Sequence, residues 1–155
     1  MKRVSNTAHN YDNMDMDISK CSTLKQMEFL KKCMTLAHRS NLTQKHGCVI
    51  VLDNVIISSG YNYKITNTGH SIPQNKNIDA KKSKMYSIHA EISTIKKVKH
   101  KDLSRCELYV VRIGPIGNDS CCHTLKYSHP CEECTLCIEE YGIKKVFYSV
   151  NSCKN

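Results

Sequence analysis

The sequence has no tryptophan and no long apolar run. Its longest apolar stretches, such as residues 49–52, have the length of a strand. A helix that spans a bilayer needs about 20 apolar residues, so these stretches exclude one. Residues 1–3 are followed by polar residues and lack the apolar segment of a secretory signal peptide. We therefore expect a protein that is not secreted, has no membrane partner, and is located in the cytoplasm or the nucleus.

Acidic residues are scarce relative to basic ones. The chain has 14 Asp and Glu against 23 Lys and Arg, a formal net charge of +9. This excess favours anionic partners such as nucleotides or nucleic acid, although the same charge also serves solubility alone. A length of 155 residues with 40% hydrophobic residues predicts one folded domain.

Cysteine, in contrast, is abundant, with ten residues. In a secreted chain this number would indicate a disulfide framework. In a chain without a secretion signal, clustered cysteines and histidines more often indicate a metal or a catalytic site.

Hydrophobic periodicity divides the chain into a tail and a domain. Residues 1–22 are polar and have no period, which predicts a flexible tail. Residues 23–151 alternate between helical and strand patterns in the order α-β-β-α-β-α-β, with long loops at 63–86 and 114–130. This order predicts an α/β fold, in which helices cover both faces of a mixed sheet.

Several local signals place the elements. The first helix has Thr23 as its predicted cap and an apolar face made of Leu24, Met27, Leu30, Met34 and Ala37. Residues 48–57 form an antiparallel hairpin that turns at Asp53-Asn54. The second helix begins near Ile88 with Ser87 as its cap, and the third covers 131–141 and ends at Gly142. The β-α-β-α-β half predicts neighbouring parallel strands.

Two short segments carry the chemistry, and each lies where the chain enters a helix. They are His89-Ala90-Glu91 and Pro130-Cys131-Glu132-Glu133-Cys134. Cys131 and Cys134 are three residues apart, so one helical turn directs both thiolates to one point. His89 supplies a third ligand and leaves a fourth position for water, which is the pattern of a catalytic zinc site.

Glu91 is the predicted catalytic residue. It lies two positions beyond His89, near the metal but directed elsewhere. Zinc lowers the pKa of a bound water to about 7. Glu91 can then take a proton from that water and deliver it to the substrate as a general acid/base.

His-x-Glu followed by Pro-Cys-x-x-Cys resembles the signature of the cytidine deaminase-like superfamily. Residues 36–40, 47–51 and 57–62 also resemble the first half of deoxycytidylate and tRNA adenosine deaminases. The resemblance covers about residues 24–150. It implies a three-layer α-β-α cytidine deaminase-like sandwich, with the hairpin strands antiparallel and the later strands parallel.

The resemblance also implies roles for single residues. His89, Cys131 and Cys134 would be the ligands of one catalytic Zn²⁺, and Glu91 the proton shuttle. Asn62, Ala90, Pro130 and Gln44 would lie against the substrate. The implied reaction is hydrolytic deamination of a cytosine-containing nucleotide or nucleoside, in which zinc-bound hydroxide attacks C4 and ammonia leaves.

The sequence is also compatible with other functions. The charge also suits a deaminase that edits nucleic acid, acting on adenosine in tRNA or cytidine in RNA or single-stranded DNA. A third alternative is an inactive, zinc-stabilised binding module. The resemblance further implies a homo-oligomer.

A second, structural zinc is an additional alternative. Five residues could supply its ligands, although free thiols in a loop explain the cysteines equally. These residues are Cys121, Cys122, His123, His129 and His70.

Overall fold

The computed structural model of the chain describes residues 15–16, 23–65, 86–99, 102–114 and 125–151. Within these ranges it has three helices and eight strands. In chain order the elements are β1 (Asp15–Met16), α1 (Leu24–Ala37), β2 (Lys45–Leu52), β3 (Val55–Tyr61), β4 (Tyr63–Ile65), β5 (Tyr86–Ile88), α2 (Ala90–Ile95), β6 (Glu107–Ile113), β7 (Leu125–Lys126), α3 (Glu132–Glu140) and β8 (Lys145–Ser149).

The main sheet is mixed, as predicted. Its strand order is β1-β8-β6-β2-β3, and β7 pairs with β6 beside this path. Strand β2 is antiparallel to both β3 and β6, whereas β8 is parallel to β6. The prediction of neighbouring parallel strands is correct for β6 and β8 but wrong for β3 and β6, because β2 lies between them.

The hairpin turns where the sequence predicted. Asp53 and Asn54 both have positive φ, 48° and 62°. Positive φ at both central residues defines a type I′ turn, whose twist matches that of the strands it joins. The third helix also ends as predicted, since Tyr141 caps α3 and Gly142 follows with φ 79°.

The sheet is covered on both faces, as the α-β-α prediction requires. On one face α1 packs on alternate residues of β2 and β6, including Val49, Val51 and Tyr109. On the other face α2 and α3 pack on Cys48, Ile50 and their neighbours. Two hydrophobic cores therefore lie on either side of one sheet.

The buried face of α1 agrees with the predicted one in part, since Leu30 and Ala37 are buried and Met27 and Met34 are half-buried. Leu24 is 82% exposed, and the buried residues are Phe29, Leu30, Cys33, Leu36 and Ala37. This helix lies very close to β2 at Gly47. A Cβ at Gly47 would be 1.9 Å from the carbonyl oxygen of Cys33, so only glycine fits the contact. The close contact fixes which side of the helix faces the sheet.

The second helix begins later than predicted. Ile88 belongs to β5 and pairs with Tyr63 of β4, so its backbone is extended. His89 is the N-cap of α2, and Ser87 does not cap it. Strands β4 and β5 occupy the two ends of the predicted 63–86 loop, and 66–85 lie outside the described residues.

The predicted tail also contributes to the sheet. Asp15–Met16 pairs in parallel with β8 at Tyr148 and Ser149. In the 114–130 loop, β7 pairs with Arg112 and Ile113. None of the described helices combines the length and apolar character that crossing a bilayer requires.

Candidate metal centre

The first residues of two helices bring the predicted ligands together. His89 is the N-cap of α2 and Cys131 is the N-cap of α3, and both have extended backbone. Neither side chain caps its own helix. Both are therefore free to turn toward the space between the two helix ends, where Cys134 projects from the first turn of α3.

The distances within this cluster suit one metal ion. His89 Nδ1 lies 3.3 Å from Cys134 Sγ and 3.4 Å from Cys131 Sγ. All three ligand atoms lie within 4.8 Å of one another. Tetrahedral zinc with ordinary Zn–N and Zn–S bonds separates a nitrogen from a sulfur ligand by about 3.5 Å. The donor set and its spacing thus fit a zinc ion.

The electrostatics of the cluster also favour a cation. Cys134 is fully buried. Burial, and then the negative charge of Glu91, raises the pKa of Cys134. A thiolate at this position therefore needs a positive ion against it. Cys131 and His89 are exposed, so the cluster is open on their side, as a site with a fourth exchangeable position requires.

Glu91 lies in the first turn of α2 with only 5% of its surface exposed. Burial raises the pKa of its carboxyl group, while its own backbone N–H and His89 oppose the rise. A carboxyl group with a raised pKa accepts a proton more readily than an exposed glutamate. Such a group can carry a proton during a reaction near neutral pH.

A cavity of about 420 Å³ opens beside the cluster. This volume lies within the usual range for small-molecule sites. Its lining residues come from both helix starts, the β2 and β3 ends and the loop before β2: Leu42, Thr43, Gln44, His46, Asn62, Ser87, His89, Glu91, His129 and Cys131.

The predicted substrate-binding residues divide into two pairs. Gln44 and Asn62 line the cavity with Glu91. Ala90 is completely buried and Pro130 is buried, and neither is among the described residues that line it. Ala90 and Pro130 are instead the chain neighbours of the lining residues His89, Glu91 and Cys131.

Five lining residues were not predicted as substrate contacts, namely Leu42, Thr43, His46, Ser87 and His129. Ser87 was interpreted as a helix cap, and His129 as a ligand of a second metal. His46 precedes Gly47 on β2, and its Nδ1 atom lies 3.5 Å from Nδ2 of Asn62. Burial, and then the charge of Arg112, lowers the pKa of His46 to about 4. The alternation of β2 was the only available signal, since it places His46 on the same face as Cys48.

The second zinc prediction falls largely outside the structure. Cys121, Cys122, His123 and His70 lie outside the described residues, and His129 lines the cavity instead. Among the residues that the structure describes, His89, Cys131 and Cys134 form the one group spaced to hold a metal ion.

The family model described as "Cytidine and deoxycytidylate deaminase zinc-binding region" matches residues 23–150. The chain belongs to this family. This match confirms the predicted resemblance. It also confirms the prediction of a deaminase with a zinc-binding region. The chain matches no curated protein sequence significantly.

Two solved structures share the fold. One is the dCMP deaminase of the cyanophage S-TIM5 in its apo form, with 20% identity, a TM-score of 0.53 and coverage of 80% of both chains. The other is the same phage enzyme in complex with dCMP and dUMP, with 19% identity, a TM-score of 0.53 and 79% coverage of both chains. These matches confirm the cytidine deaminase-like α/β fold.

Proposed function

We propose that this deaminase hydrolyses the amino group of a cytosine-containing nucleotide or nucleoside in a zinc-dependent reaction. One observation carries the proposal: the cavity is lined by the buried residue Glu91 and by His89 and Cys131, two members of the metal cluster. A proton carrier and a metal centre that share one cavity can activate water against a bound ring.

His89, Cys131 and Cys134 would hold the zinc. When bound, zinc acts as a Lewis acid and brings the pKa of a water ligand to about 7. Glu91 takes the proton that this water loses and transfers it to the ring nitrogen N3. The oxygen of this water would bond to C4 as N3 is protonated. Glu91 would then take the remaining hydroxyl proton and give it to the amino group, so that the C4–N bond breaks with release of ammonia and the ring keeps a carbonyl oxygen at C4.

The cavity wall would orient the ring. Asn62 and Gln44 line the cavity together with the helix starts, and their side chains are amides, which can donate and accept hydrogen bonds. The backbone N–H of Ala90 belongs to the first residue of α2, where the helix leaves its N–H groups without internal partners. We assign Pro130 a backbone role in holding Cys131 at the cavity.

The fold neighbours support a pyrimidine nucleotide as substrate. The phage enzyme is described as a dCMP deaminase, and one of its structures holds dCMP and dUMP. The equal coverage of both chains indicates a similar domain size.

A substrate panel tests the proposal. Zinc-loaded protein would be incubated with dCMP, dCTP, cytidine and deoxycytidine, and ammonia release would be measured. Turnover of at least one cytosine substrate is expected. If the zinc content is confirmed and none of the four releases ammonia, the proposal is wrong.

A second candidate function is editing of nucleic acid. Tyr127 is 49% exposed, and its ring stacks on His129 at an interplanar angle of 9°. His129 lines the cavity, so an exposed aromatic pair stands beside it. Such pairs stack on unpaired bases, and a chain of net charge +9 attracts a polyanion. Affinity for single-stranded oligonucleotides that does not fall with salt would contradict this candidate.

A further inference from the structure

Strand β6 changes its neighbour part-way along its length. Strand β2 borders one edge of β6 throughout. On the other edge, β8 pairs in parallel with β6 as far as Val110, and β7 pairs with it at Arg112 and beyond. After β7, residues 127–130 lead directly to Cys131, the N-cap of α3. The place where β8 gives way to β7 is therefore close in the chain to the metal centre.

A serine hydroxyl ties this connecting segment to β6 and β8. Ser128 Oγ accepts a hydrogen bond from the backbone N–H of Ser149 at 2.8 Å, and it lies 3.1 Å from the carbonyl oxygen of Val110, to which it can donate. The backbone N–H of Ser128 also donates to the carbonyl oxygen of Ser149 at 2.9 Å. These contacts are made where the pairing of β6 with β8 ends, so one residue holds the segment to both strands.

A second serine hydroxyl joins β7 to the same place. Ser149 Oγ accepts a hydrogen bond from the backbone N–H of Arg112 at 3.1 Å and donates to the carbonyl oxygen of Lys126 at 2.7 Å. The hydroxyl oxygens of Ser128 and Ser149 lie 2.9 Å apart. We call these two residues the serine pair. Both are buried, and hydrogen bonds in such a dry network are costly to lose.

The segment is stiff between Ser128 and the metal ligand. Only His129 and Pro130 separate Ser128 from Cys131. Pro130 is buried and its ring fixes φ, and the His129 ring packs edge-on against Tyr148 of β8 with 4.9 Å between the ring centroids. Bonds between a metal and its ligands tolerate errors of only about 0.2 Å. A small displacement of the segment at Ser128 would therefore reach the thiolate of Cys131.

We propose that Ser128 is a positioning residue for the metal centre. Its hydroxyl holds residues 127–130 against β6 and β8, so that Cys131 meets the metal together with the other two ligands, and Ser149 supports it from β8. Neither serine belongs to the metal cluster or to the described residues that line the cavity. The inference rests on the zinc ligands of the proposed function and adds two residues that act through one of them.

Cobalt substitution tests the position of the ligands without turnover. Co²⁺ can occupy a site with these donors, and its visible absorption depends on the geometry of its ligands. Co²⁺-loaded Ser128→Ala should have a shifted or weakened visible spectrum compared with wild type. Its dissociation constant for Zn²⁺, measured by competition with a coloured chelator, should rise about 10-fold, a usual loss when a residue that orients a metal ligand is replaced.

Val51→Ala is the matched control. Val51 is buried at the hairpin end of β2, in the core beneath α1, so its truncation lowers stability without contacting the serine pair. It should keep the wild-type cobalt spectrum and zinc affinity. Ser149→Ala is a second test variant, which removes one hydroxyl but keeps that of Ser128. Its spectrum should shift in the same direction as that of Ser128→Ala, with a smaller loss of zinc affinity. Circular dichroism would confirm that each variant is folded at the temperature used.

Two results overturn the positioning role. One is an unchanged spectrum and zinc affinity in Ser128→Ala. The other is a change of equal size in Ser128→Ala and Val51→Ala, which would indicate a loss of stability alone. If Ser128→Ala does not fold, Ser149→Ala decides, since a shifted spectrum supports the role and an unchanged one overturns it.

The outcomes also separate this role from the proposed function. If the wild type binds metal but deaminates none of the cytosine substrates, the proposed function fails, while a shifted spectrum in Ser128→Ala still supports the positioning of Cys131. If the wild type binds neither Zn²⁺ nor Co²⁺, both are wrong.

Discussion

The side-chain amide of Asn62 holds the strand that carries His46. Asn62 Oδ1 accepts a hydrogen bond from the backbone N–H of His46 at 2.8 Å, and Nδ2 donates to the carbonyl oxygen of Gln44 at 2.7 Å. The backbone N–H of Asn62 also donates to the carbonyl oxygen of His46. Asn62 therefore shapes the cavity wall through Gln44 and His46, in addition to any contact with substrate.

Asn62→Ala should weaken both the fold and the reaction. The substitution removes the partners of one backbone N–H and one carbonyl group, which costs about 2 kcal/mol of unfolding free energy in a partly buried setting. Urea denaturation measures this loss, and kcat/KM should fall with it. Asn41→Ala, at an exposed position before the same segment, should cost less than about 0.5 kcal/mol. Equal stability of the two variants would contradict the role given to Asn62.

Glu91→Gln should abolish turnover and keep the metal. The amide has nearly the same shape but cannot carry the proton, so kcat should fall by about 10³-fold. Zinc content should match the wild type. Stability should be kept or increased, because burial raises the pKa of the Glu91 carboxyl group and so opposes its charge. Glu132→Gln, an exposed position in the first turn of α3, is the control and should remain active. Activity of Glu91→Gln close to that of the control would refute general acid/base catalysis by Glu91.

Cys134→Ser should lose zinc, whereas Cys137→Ser should keep it. Both residues lie on α3, but only Cys134 belongs to the cluster within 4.8 Å. Elemental analysis of the purified variants gives the metal content, and ammonia release gives the activity. We expect metal and activity to disappear together in Cys134→Ser. Full zinc content in that variant would remove Cys134 from the ligand set.

The two cysteine ligands and the hairpin could be predicted because residues close together in the sequence specify them. Cys131 and Cys134 are spaced by one helical turn, and Asp53-Asn54 tolerates the positive φ of the turn. Assigning His89 to the same site as the two cysteines required only the choice of a third ligand for the metal ion. The structure places its Nδ1 within 3.4 Å of both sulfurs.

The remaining features depend on contacts between distant segments. The pairing of Ile88 with Tyr63 delays the start of α2, and no pattern near Ile88 indicates that pairing. The alignment of Arg112 with His46 and Lys126 depends on the register of β6 with β2 and β7, which local sequence does not specify. The face of α1 is set by its contact with Gly47, 14 positions after Cys33.

His46 should make the protein less stable as the pH falls from about 6.5 to about 4. Burial, and then the charge of Arg112, lowers the pKa of His46 to about 4, while the unfolded chain keeps the ordinary value near 6.5. Above pH 6.5 the ring is neutral in both states. Below it, the unfolded state binds a proton that the folded state resists, so stability falls.

Replacing His46 measures this effect. Between pH 7 and pH 5, wild type should lose about 1–2 kcal/mol more unfolding free energy than His46→Gln, after allowance for solvent screening of a partly exposed ring. Acid release of zinc from the cysteines affects both proteins, so the difference isolates His46. Arg112→Gln should lose less than wild type over the same interval, because it removes the second cause of the lowered pKa. Parallel pH profiles for wild type and His46→Gln would show that the His46 ring takes up its proton as readily in the folded chain as in the unfolded one.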